Sequence, residues 1–314
     1  MDIDLVYTYV NSGDEKWLEE RKHFSDGMGM PECRFRDNDE LLYSLRSVEK
    51  NAPWIRNIYI VTNSSVPKWL NTSNKRIRII HHSEIMPLDI LPCYDSNLIE
   101  FYIYKIKGLS DIFLYANDDT FFGNKVSESF FVKNNKPIIR MIKKTELGDS
   151  NYHKSIKNAR RIISQKYDIK LDYVPIHNID VYDKKGIQEC LNQFSEEIES
   201  FTNNRFRNDN DINRILFYYY YMANKMCSIV KYDLFNRGIL CRLFRRINRI
   251  IHPHLDFVIY DINELFENKK AMREFQRHPY LVCLNDGEST SGSDLIQFKR
   301  LMQNTFPEKS SFEV

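Results

Sequence analysis

Two adjacent carboxylates that follow an apolar run form the strongest chemical signal in the sequence. The run from Ile112 to Tyr115 is typical of a buried strand, and it ends in Asn117, Asp118 and Asp119. Two carboxylates at a strand end are costly to bury together unless a cation pairs with them, and Mg²⁺ or Mn²⁺ takes such oxygen ligands. The pattern therefore predicts a divalent-metal site at Asp118 and Asp119. The alternative is a simple turn, which Asn and Asp also favour.

A second polar group stands just before a predicted helix. Arg36, Asp37 and Asn38 precede the helix, and Arg46 follows between two and three turns further along. Arginines near a helix N-terminus suit a diphosphate, because guanidinium groups pair with it bidentately and the first backbone N–H groups are unused. The alternative is a solvated helix start that Asp37 caps.

A hydroxyl, a carboxylate and an imidazole come next along the chain. Ser96 and Glu100 fall four residues apart in one predicted helix, so they share a face and could present both groups to a sugar. Equally, Asp95 or Ser96 is simply the helix N-cap. His177 stands at a predicted loop-to-helix transition, where an imidazole with an unperturbed pKa near 6.5 can act as a general base. It is one of eight histidines, so a structural role is the alternative.

Two further polar groups adjoin apolar segments in the second half of the chain. Arg207, Asp209 and Asp211 directly precede a buried helix. The alternative there is a capped helix start, and it is strongest for Asp209. A later apolar run is followed by Asn285 and Asp286, which repeats the pattern of a strand that ends in Asn and Asp. Two strand ends of this kind in one chain favour a shared metal and phosphate site.

The elements that must position these groups alternate between strands and helices over the first 120 residues. In order, they are a strand from Ile3 to Val10, a helix from Asp37 to Lys50, strands from Ile58 to Thr62 and from Ile77 to Ile80, a helix from Ser96 to Ile106, and the strand that begins at Ile112. This alternation predicts an α/β fold whose mixed, mostly parallel sheet is flanked by helices. Such sheets bind ligands at the carboxyl ends of their strands.

These patterns divide the chain into four segments. We expect residues 1–132 to form the α/β part, residues 133–172 an insertion or lid, residues 173–290 a helix-rich part that completes the site, and residues 291–314 a polar tail that frays. The third segment includes an apolar helical pattern from Asp209 to Met226. The predicted site therefore needs both halves of the chain.

Composition and charge exclude several classes of protein. The 314 residues are 42% hydrophobic and 28% charged, so the chain can bury a sizeable core and is not disordered. Lys and Arg total 45 against 43 Asp and Glu, so no basic excess favours nucleic acid as a partner. The sequence shows no basic leader and no apolar run of roughly 20 residues, and its six cysteines are scattered. We therefore expect a soluble cytoplasmic protein.

Four blocks of the sequence resemble, in order, the conserved blocks of the Stealth family. The first two are similar to IDLVYTYVNSGD at residues 3–14, RFRDNDELLYSLRSVEKNAPWIRNIYIVTN at 34–63, and LPCYDSNLIE with IKGLSDIFLYANDDTFFG at 91–100 and 106–123. The third resembles VPIHNIDVYDKKGIQECLNQFSEEIES through NRFRNDNDI at 174–212, and the fourth LVCLNDGE at 281–288. The family comprises sugar-1-phosphate transferases of microbial capsule synthesis, related to the catalytic subunit of the animal GlcNAc-1-phosphotransferase. Two departures are Tyr9, where many relatives have Trp, and Cys93-Tyr94-Asp95, where a Thr-Phe-Asn type of triplet is usual.

The resemblance implies a reaction, a fold and a set of site residues. The reaction is transfer of a hexose 1-phosphate, such as GlcNAc 1-phosphate, from a UDP-sugar to a hydroxyl of a glycan acceptor, with release of UMP. The fold is that of nucleotide-sugar transferases. The nucleotide side would be lined by Asp4, Asn11 and Asp14, the surroundings of the donor by Arg36, Asp37, Asn38 and Arg46, the metal by Asp118 and Asp119, and the reacting phosphate by His177, Arg207, Asp211 and Asn285. We also expect substrate contacts from Ser96, Glu100 and Asn117.

The chemistry of phosphoryl transfer gives these residues roles. It needs a metal for the diphosphate, cations such as Arg207 for the developing charge, and a base for the acceptor hydroxyl. Our first choice of base is His177, because its ordinary pKa lies near working pH, and the alternative is Asp211. One rival function is a metal-dependent glycosyltransferase that releases UDP. Another is a non-catalytic module that binds a nucleotide sugar or a glycan.

The stretch from Arg237 to Ile251 is basic and amphipathic. We favour a helix that packs one face on the core and leaves its arginines in solvent. The alternative is a helix that lies on an anionic membrane surface. It would then meet a lipid-linked glycan acceptor at the inner face of the cell membrane.

Overall fold

The computed structural model describes residues 1–25, 33, 36–232 and 254–314. The strands in these residues are β1 (Asp4–Thr8), β2 (Ile58–Thr62), β3 (Ile77–His81), β4 (Ile112–Asn117), β5 (Thr120–Phe122), β6 (Val132–Lys133), β7 (Lys136–Lys143), β8 (Tyr173–Pro175), β9 (Asp180–Asp183), β10 (Ser228–Tyr232), β11 (Phe257–Asp261) and β12 (Leu281–Asn285). The helices are α1 (Glu15–Phe24), α2 (Glu40–Asn51), α3 (His82–Ile85), α4 (Ser96–Glu100), α5 (Asn151–Tyr167), α6 (Lys184–Gln193), α7 (Ser195–Glu199), α8 (Ile215–Ala223), α9 (Ile262–Glu267), α10 (Lys269–Phe275) and α11 (Gly292–Thr305). The stretch from Arg237 to Ile251 lies outside the described residues, so its membrane role stays a prediction. None of the described helices has the length and apolar character that crossing a membrane requires.

The central sheet has the strand order β3-β2-β1-β4-β9. The strands β1 to β4 run parallel, and β9 is antiparallel to β4. Both faces of β1, β2 and β4 are covered, which is why these strands are mostly apolar, and Leu5, Val6 and Leu114 are fully buried. The edge strand β3 exposes Arg78 and His81. Thr8 pairs with Asn117 in register, so the residues that follow β1 and β4 emerge at the same edge. The predicted α/β fold with a mixed, mostly parallel sheet is confirmed.

Two smaller sheets complete the fold. One has the order β10-β7-β6, with β8 paired to β7, and the other has the order β11-β12-β5. The segment predicted to be helix-rich thus also contributes strands. In the second of these sheets β5 begins directly after Asp119 and runs antiparallel to β12, with Cys283 opposite Thr120. This pairing brings together the two strand ends that carry Asn and Asp.

Three predicted helices have different ends in the structure, and in two of them a polar side chain binds the backbone at the new end. The helix α2 begins at Glu40 rather than Asp37, and Asp37 Oδ1 accepts a hydrogen bond from the backbone N–H of Asp39 (2.9 Å). The helix α8 begins only at Ile215, whose backbone N–H donates to Asn213 Oδ1 (3.1 Å). The predicted helix that contains α4 ends after five residues and continues into a 3-10 turn.

The segment predicted to be an insertion or lid contains regular structure. It holds β7, which pairs with three other strands, and the long helix α5. Buried Ile156, Ala159 and Ile163 give α5 an apolar face that packs against α8. The function of this segment as a lid stays a prediction.

The carboxyl-terminal tail is folded, so the expectation that it frays is wrong. The helix α11 begins with a capping box in which Ser291 and Asp294 bind each other's backbone N–H groups. Phe298 and Met302 lie one turn apart and are buried at 0% and 1% exposure. Phe306 and Phe312 are buried as well, so apolar side chains along the whole segment anchor it.

Candidate active site

The β4–β5 turn, the β8–β9 loop and the end of β12 meet at one corner of the molecule. There the Asp119 carboxylate, a ring nitrogen of His177 and the Cys283 thiol all lie within 4.8 Å of one another. The Leu284 backbone N–H donates to the Asp119 carbonyl oxygen (3.1 Å), which holds the turn against β12. His177 lies in a loop between two strands rather than at a loop-to-helix transition. The sequence analysis selected Asp119 and His177 but missed Cys283, which belongs to the predicted strand before Asn285.

The Asp118 carboxylate is enclosed beside other acids, although the residue as a whole is half-buried. Burial, followed by the Asp119 and Asp37 carboxylates, raises the pKa of Asp118 to about 7. Burial, with a contribution from Asp118, also raises the pKa of Glu40 to about 8. Acids held this close favour a bound proton or cation over several bare charges. The carboxylates therefore fit a divalent cation.

Arg36 is engaged by a carboxylate that the sequence analysis did not select. Its Nε and Nη2 donate to the two carboxylate oxygens of Asp286 at 2.9 and 2.7 Å. Asn38 Nδ2 donates to the same carboxylate (3.2 Å) and to Glu40 Oε1 (2.8 Å). The strand-end Asn-Asp pattern was the available signal for Asp286, but only Asn285 was selected from it. The structure thus gives Arg36 the role of fixing the turn after β12.

The predicted nucleotide-side residues Asn11 and Asp14 follow β1 at the same sheet edge. Asp14 Oδ1 caps α1 by accepting the backbone N–H of Trp17 (3.1 Å), and Oδ2 accepts that of Ser65 (2.6 Å). The bond from Ser65 is the main cause of the lowered pKa of Asp14. The Asn11 backbone N–H donates to Ser64 Oγ (2.8 Å). These contacts join the ends of β1 and β2.

Asp4 and Arg46 are not brought to this edge. Asp4 begins β1, at the opposite end of the sheet. Its carboxylate accepts hydrogen bonds from Nε and Nη2 of Arg56 at 2.9 and 2.6 Å. Arg46 donates from Nε and Nη2 to Glu313 at 2.9 and 2.7 Å, near the carboxyl terminus. Each of the two residues forms a bidentate ion pair within the fold. The expectation that Asp4 and Arg46 line a donor site is therefore wrong.

A second polar cluster surrounds the start of α4. The Nη2 of exposed Arg207 donates to Ser96 Oγ (2.6 Å). Asp95, not Ser96, is the N-cap, since its Oδ1 accepts the Asn97 backbone N–H (3.0 Å). Asp211 is 1% exposed. Its carboxylate accepts hydrogen bonds from three groups: Asn204 Nδ2 (2.7 Å), the Asn208 backbone N–H (2.8 Å) and Asn97 Nδ2 (3.3 Å).

Glu100 is part of a buried ion pair, so it does not present its carboxylate beside Ser96 as expected. Arg214 donates from Nη1 to Glu100 (2.8 Å) and from Nη2 to Asp180 (3.0 Å). The Tyr115 hydroxyl lies 2.8 Å from Glu100 Oε1 and 3.0 Å from Asn117 Oδ1. This network, whose arginine the sequence analysis missed, connects α4 with the end of β4.

A family profile and several known proteins match this chain in sequence. A family profile described as Stealth protein CR2, conserved region 2, matches residues 34–167, which include Asp118 and Asp119. The capsular polysaccharide phosphotransferase fcs1 of Haemophilus influenzae is 32% identical over 92% of this chain and 79% of its own length. The capsular polysaccharide phosphotransferase LcbA of Aeromonas hydrophila is 33% identical over 69% of this chain and 64% of its own length. The exopolysaccharide phosphotransferase SCO2594 of Streptomyces coelicolor is 30% identical over 99% of this chain and 51% of its own length.

One solved structure also aligns with this chain. A galactosyltransferase LgtC, solved with donor and acceptor sugar analogs, aligns with a TM-score of 0.47 and 9% identity over 98% of this chain and 97% of its own.

The sequence relatives define the class of protein, which is that of the phosphotransferase enzymes. Within that class the chain belongs to the Stealth family. The predicted resemblance is thereby confirmed.

Proposed function

We propose that the protein transfers a hexose 1-phosphate from a UDP-sugar to a hydroxyl of a glycan, free or lipid-linked, in capsular or cell-surface polysaccharide. The observation that carries the proposal is the acidic β4–β5 turn beside His177, in a chain whose relatives are named capsular polysaccharide phosphotransferases. The acceptor oxygen attacks the phosphorus that bears the sugar. The bond from that phosphorus to the bridging oxygen breaks, and UMP leaves with the oxygen.

His177 is the proposed acceptor of the hydroxyl proton. The sequence analysis left Asp211 as the alternative, but three donors already occupy the Asp211 carboxylate, and the residue is almost fully buried. His177 is half-buried and lies beside the acidic turn, where the donor's diphosphate would bind. A base must reach the proton that it removes, and this geometric requirement favours the histidine.

Charge neutralisation is the other part of the proposed mechanism. Asp118 and Asp119 would hold Mg²⁺ or Mn²⁺, which would neutralise the diphosphate and the departing UMP. Arg207 is exposed and pairs with a hydroxyl rather than an acid, so its positive charge is available to a phosphate. Arg36 is neutralised by Asp286 and would act by holding Asn38 and the neighbouring Asn285 in place. Asn11, Asp14, Asp37 and Asn117 would complete the donor side.

The released nucleotide tests this proposal. The purified protein is incubated with UDP-sugars, Mg²⁺ and capsular oligosaccharide acceptors, and the nucleotides are separated by chromatography. Acceptor-dependent UMP is expected, and it should disappear in Asp119→Ala but persist in Asp149→Ala, which changes an exposed acid. UDP in place of UMP would instead identify a glycosyltransferase. Donor binding without any nucleotide release would favour a binding module.

A further inference from the structure

The donor set at the acidic corner is not the set that Mg²⁺ prefers. Asp119, His177 and Cys283 offer one oxygen, one nitrogen and one sulfur within 4.8 Å of one another. Mg²⁺ selects oxygen ligands, whereas imidazole and thiolate select Zn²⁺ and similar borderline metals. Catalytic zinc sites have the same composition, because they use three protein ligands and leave the fourth position to water or substrate.

The three ligands are held by contacts that do not depend on a metal. The antiparallel pairing of β5 with β12 sets Cys283 opposite Thr120, next to Asp119. The loop that carries His177 is tied to the same sheet, because buried Asn178 donates from Nδ2 to the Val258 carbonyl oxygen of β11 (3.3 Å). The framework therefore fixes the approach of the ligands, as outer contacts do in metal sites.

The surroundings of His177 and Cys283 also orient both side chains. The Tyr152 ring meets the His177 ring edge to face, with centroids 6.0 Å apart. The Cys283 thiol lies 3.5 Å from Asn285 Oδ1 and is fully buried. Ligand atoms around a tetrahedral Zn²⁺ are about 3.5 Å apart, so small side-chain rotations would close the set around an ion.

We propose that Asp119, His177 and Cys283 form a binding site for a borderline divalent cation such as Zn²⁺, and that its occupancy inhibits transfer. Inhibition follows because the ion would take the His177 lone pair that is needed for the acceptor proton. It would also remove Asp119 from the Mg²⁺ that the reaction needs. The binding part stands on the geometry alone, while the inhibitory part rests on the proposed function.

Binding is tested spectroscopically with Co²⁺, which replaces Zn²⁺ and absorbs strongly in the near ultraviolet when a thiolate binds it. The metal-free full chain is titrated beside Cys283→Ser and Cys190→Ser, the second of which changes an equally buried thiol outside the cluster. One equivalent with a thiolate band is expected for the parent and for Cys190→Ser. The band should be absent in Cys283→Ser, with affinity at least about tenfold weaker. Zn²⁺ should displace Co²⁺ at equal concentration, and Mg²⁺ should not.

No thiolate band in the parent, or an equal band in Cys283→Ser, would overturn the site. If Cys283→Ser does not fold, His177→Ala provides a second test, since the substitution is in a half-buried loop and should weaken Co²⁺ binding by at least about tenfold. The inhibitory part is measured as Zn²⁺-dependent loss of UMP release in excess Mg²⁺. Co²⁺ binding without inhibition by Zn²⁺ would overturn that part alone. A chain that binds Co²⁺ but forms no UMP would contradict the proposed function and leave the metal site standing.

Discussion

The two ends of the central sheet both enclose a carboxylate, but they treat it in opposite ways. At the amino end of β1, Asp4 is fully buried and accepts hydrogen bonds from Arg56, Asn57 and Ser110. At the carboxyl end of β4, Asp118 has other acids as neighbours, and its pKa is raised to about 7. The fold supplies the counter-charge at one end and leaves it to a ligand at the other. Unfavourable electrostatics of the second kind are typical of functional sites.

Of the substitutions considered, Asp119→Asn should have the largest effect on activity. We expect kcat/KM for UMP release to fall about 10³-fold, as when an electrostatic stabiliser is lost from an active site. The melting temperature should stay the same or rise, because a charge beside Asp118 disappears. Activity within tenfold of the parent would contradict a metal role. Asp149→Asn, which changes an exposed acid paired with Lys157, is the matched control.

The sequence could predict this end of the sheet because the signals are local. Each strand is a short apolar run, and Asn117, Asp118 and Asp119 follow one directly. The contacts that it could not predict join residues far apart along the chain. Arg36 finds Asp286 across 250 residues, and Arg214 finds Glu100 across 114.

The same limitation explains the error at Asp4 and the missed cysteine. Asp4 and Asn11 belong to one conserved-looking block, but a strand of five residues separates their environments. Block membership therefore says nothing about which end of the sheet a residue occupies. Cys283 joins the site only through the antiparallel pairing of β5 and β12, and strand pairing between distant segments leaves no local pattern.

Arg207, the cation proposed to stabilise the developing charge, should have the next largest effect on activity. Arg207→Met keeps the aliphatic stem but removes the charge. We expect a fall in kcat/KM of about 10²-fold, equal to about 2.7 kcal/mol. Stability should change little, because Arg207 is exposed and its partner Ser96 can bind water instead. Arg205→Met, whose guanidinium lies over the Phe24 ring at 4.3 Å, is the matched control. Equal activity losses in both variants would refute a specific role for Arg207.

Asp4→Asn should have the reverse effect, on stability and not on activity. We expect the free energy of unfolding in urea to fall by about 2 kcal/mol, less than for a fully buried ion pair because Arg56 is 38% exposed. The kcat/KM of the folded protein should remain within twofold of the parent. Asp2→Asn, at a 71% exposed partner of the same arginine, is the control and should be neutral. A folded Asp4→Asn protein without activity would instead support the original expectation that Asp4 contacts the substrate.

Asp95 lies between the two extremes and gives the smallest effect. Its Oδ1 caps α4, but its buried Oδ2 has no hydrogen-bond partner among the described residues. Burial, followed by the Asp211 carboxylate, raises the pKa of Asp95 to about 8. The folded chain therefore retains a proton there that the unfolded chain loses near pH 4. Stability contributed by this proton is present at low pH and is lost as the pH rises from about 4 to about 8.

Asp95→Asn should remove that dependence and keep the cap, because Asn caps helices as well as Asp does. At pH 5 the two proteins should unfold within about 0.5 kcal/mol of each other, and at pH 7.5 the variant should be more stable by about 1 kcal/mol. The expected difference stays below the full linkage value because an ionised Asp95 in the folded chain would be stabilised by local relaxation and water penetration. Asp209→Asn, at an exposed acid, should show no such trend. A parallel pH dependence in Asp95→Asn and the parent would mean that Asp95 is ionised in the folded chain, and that its carboxylate, like that of Asp4, has a counter-charge.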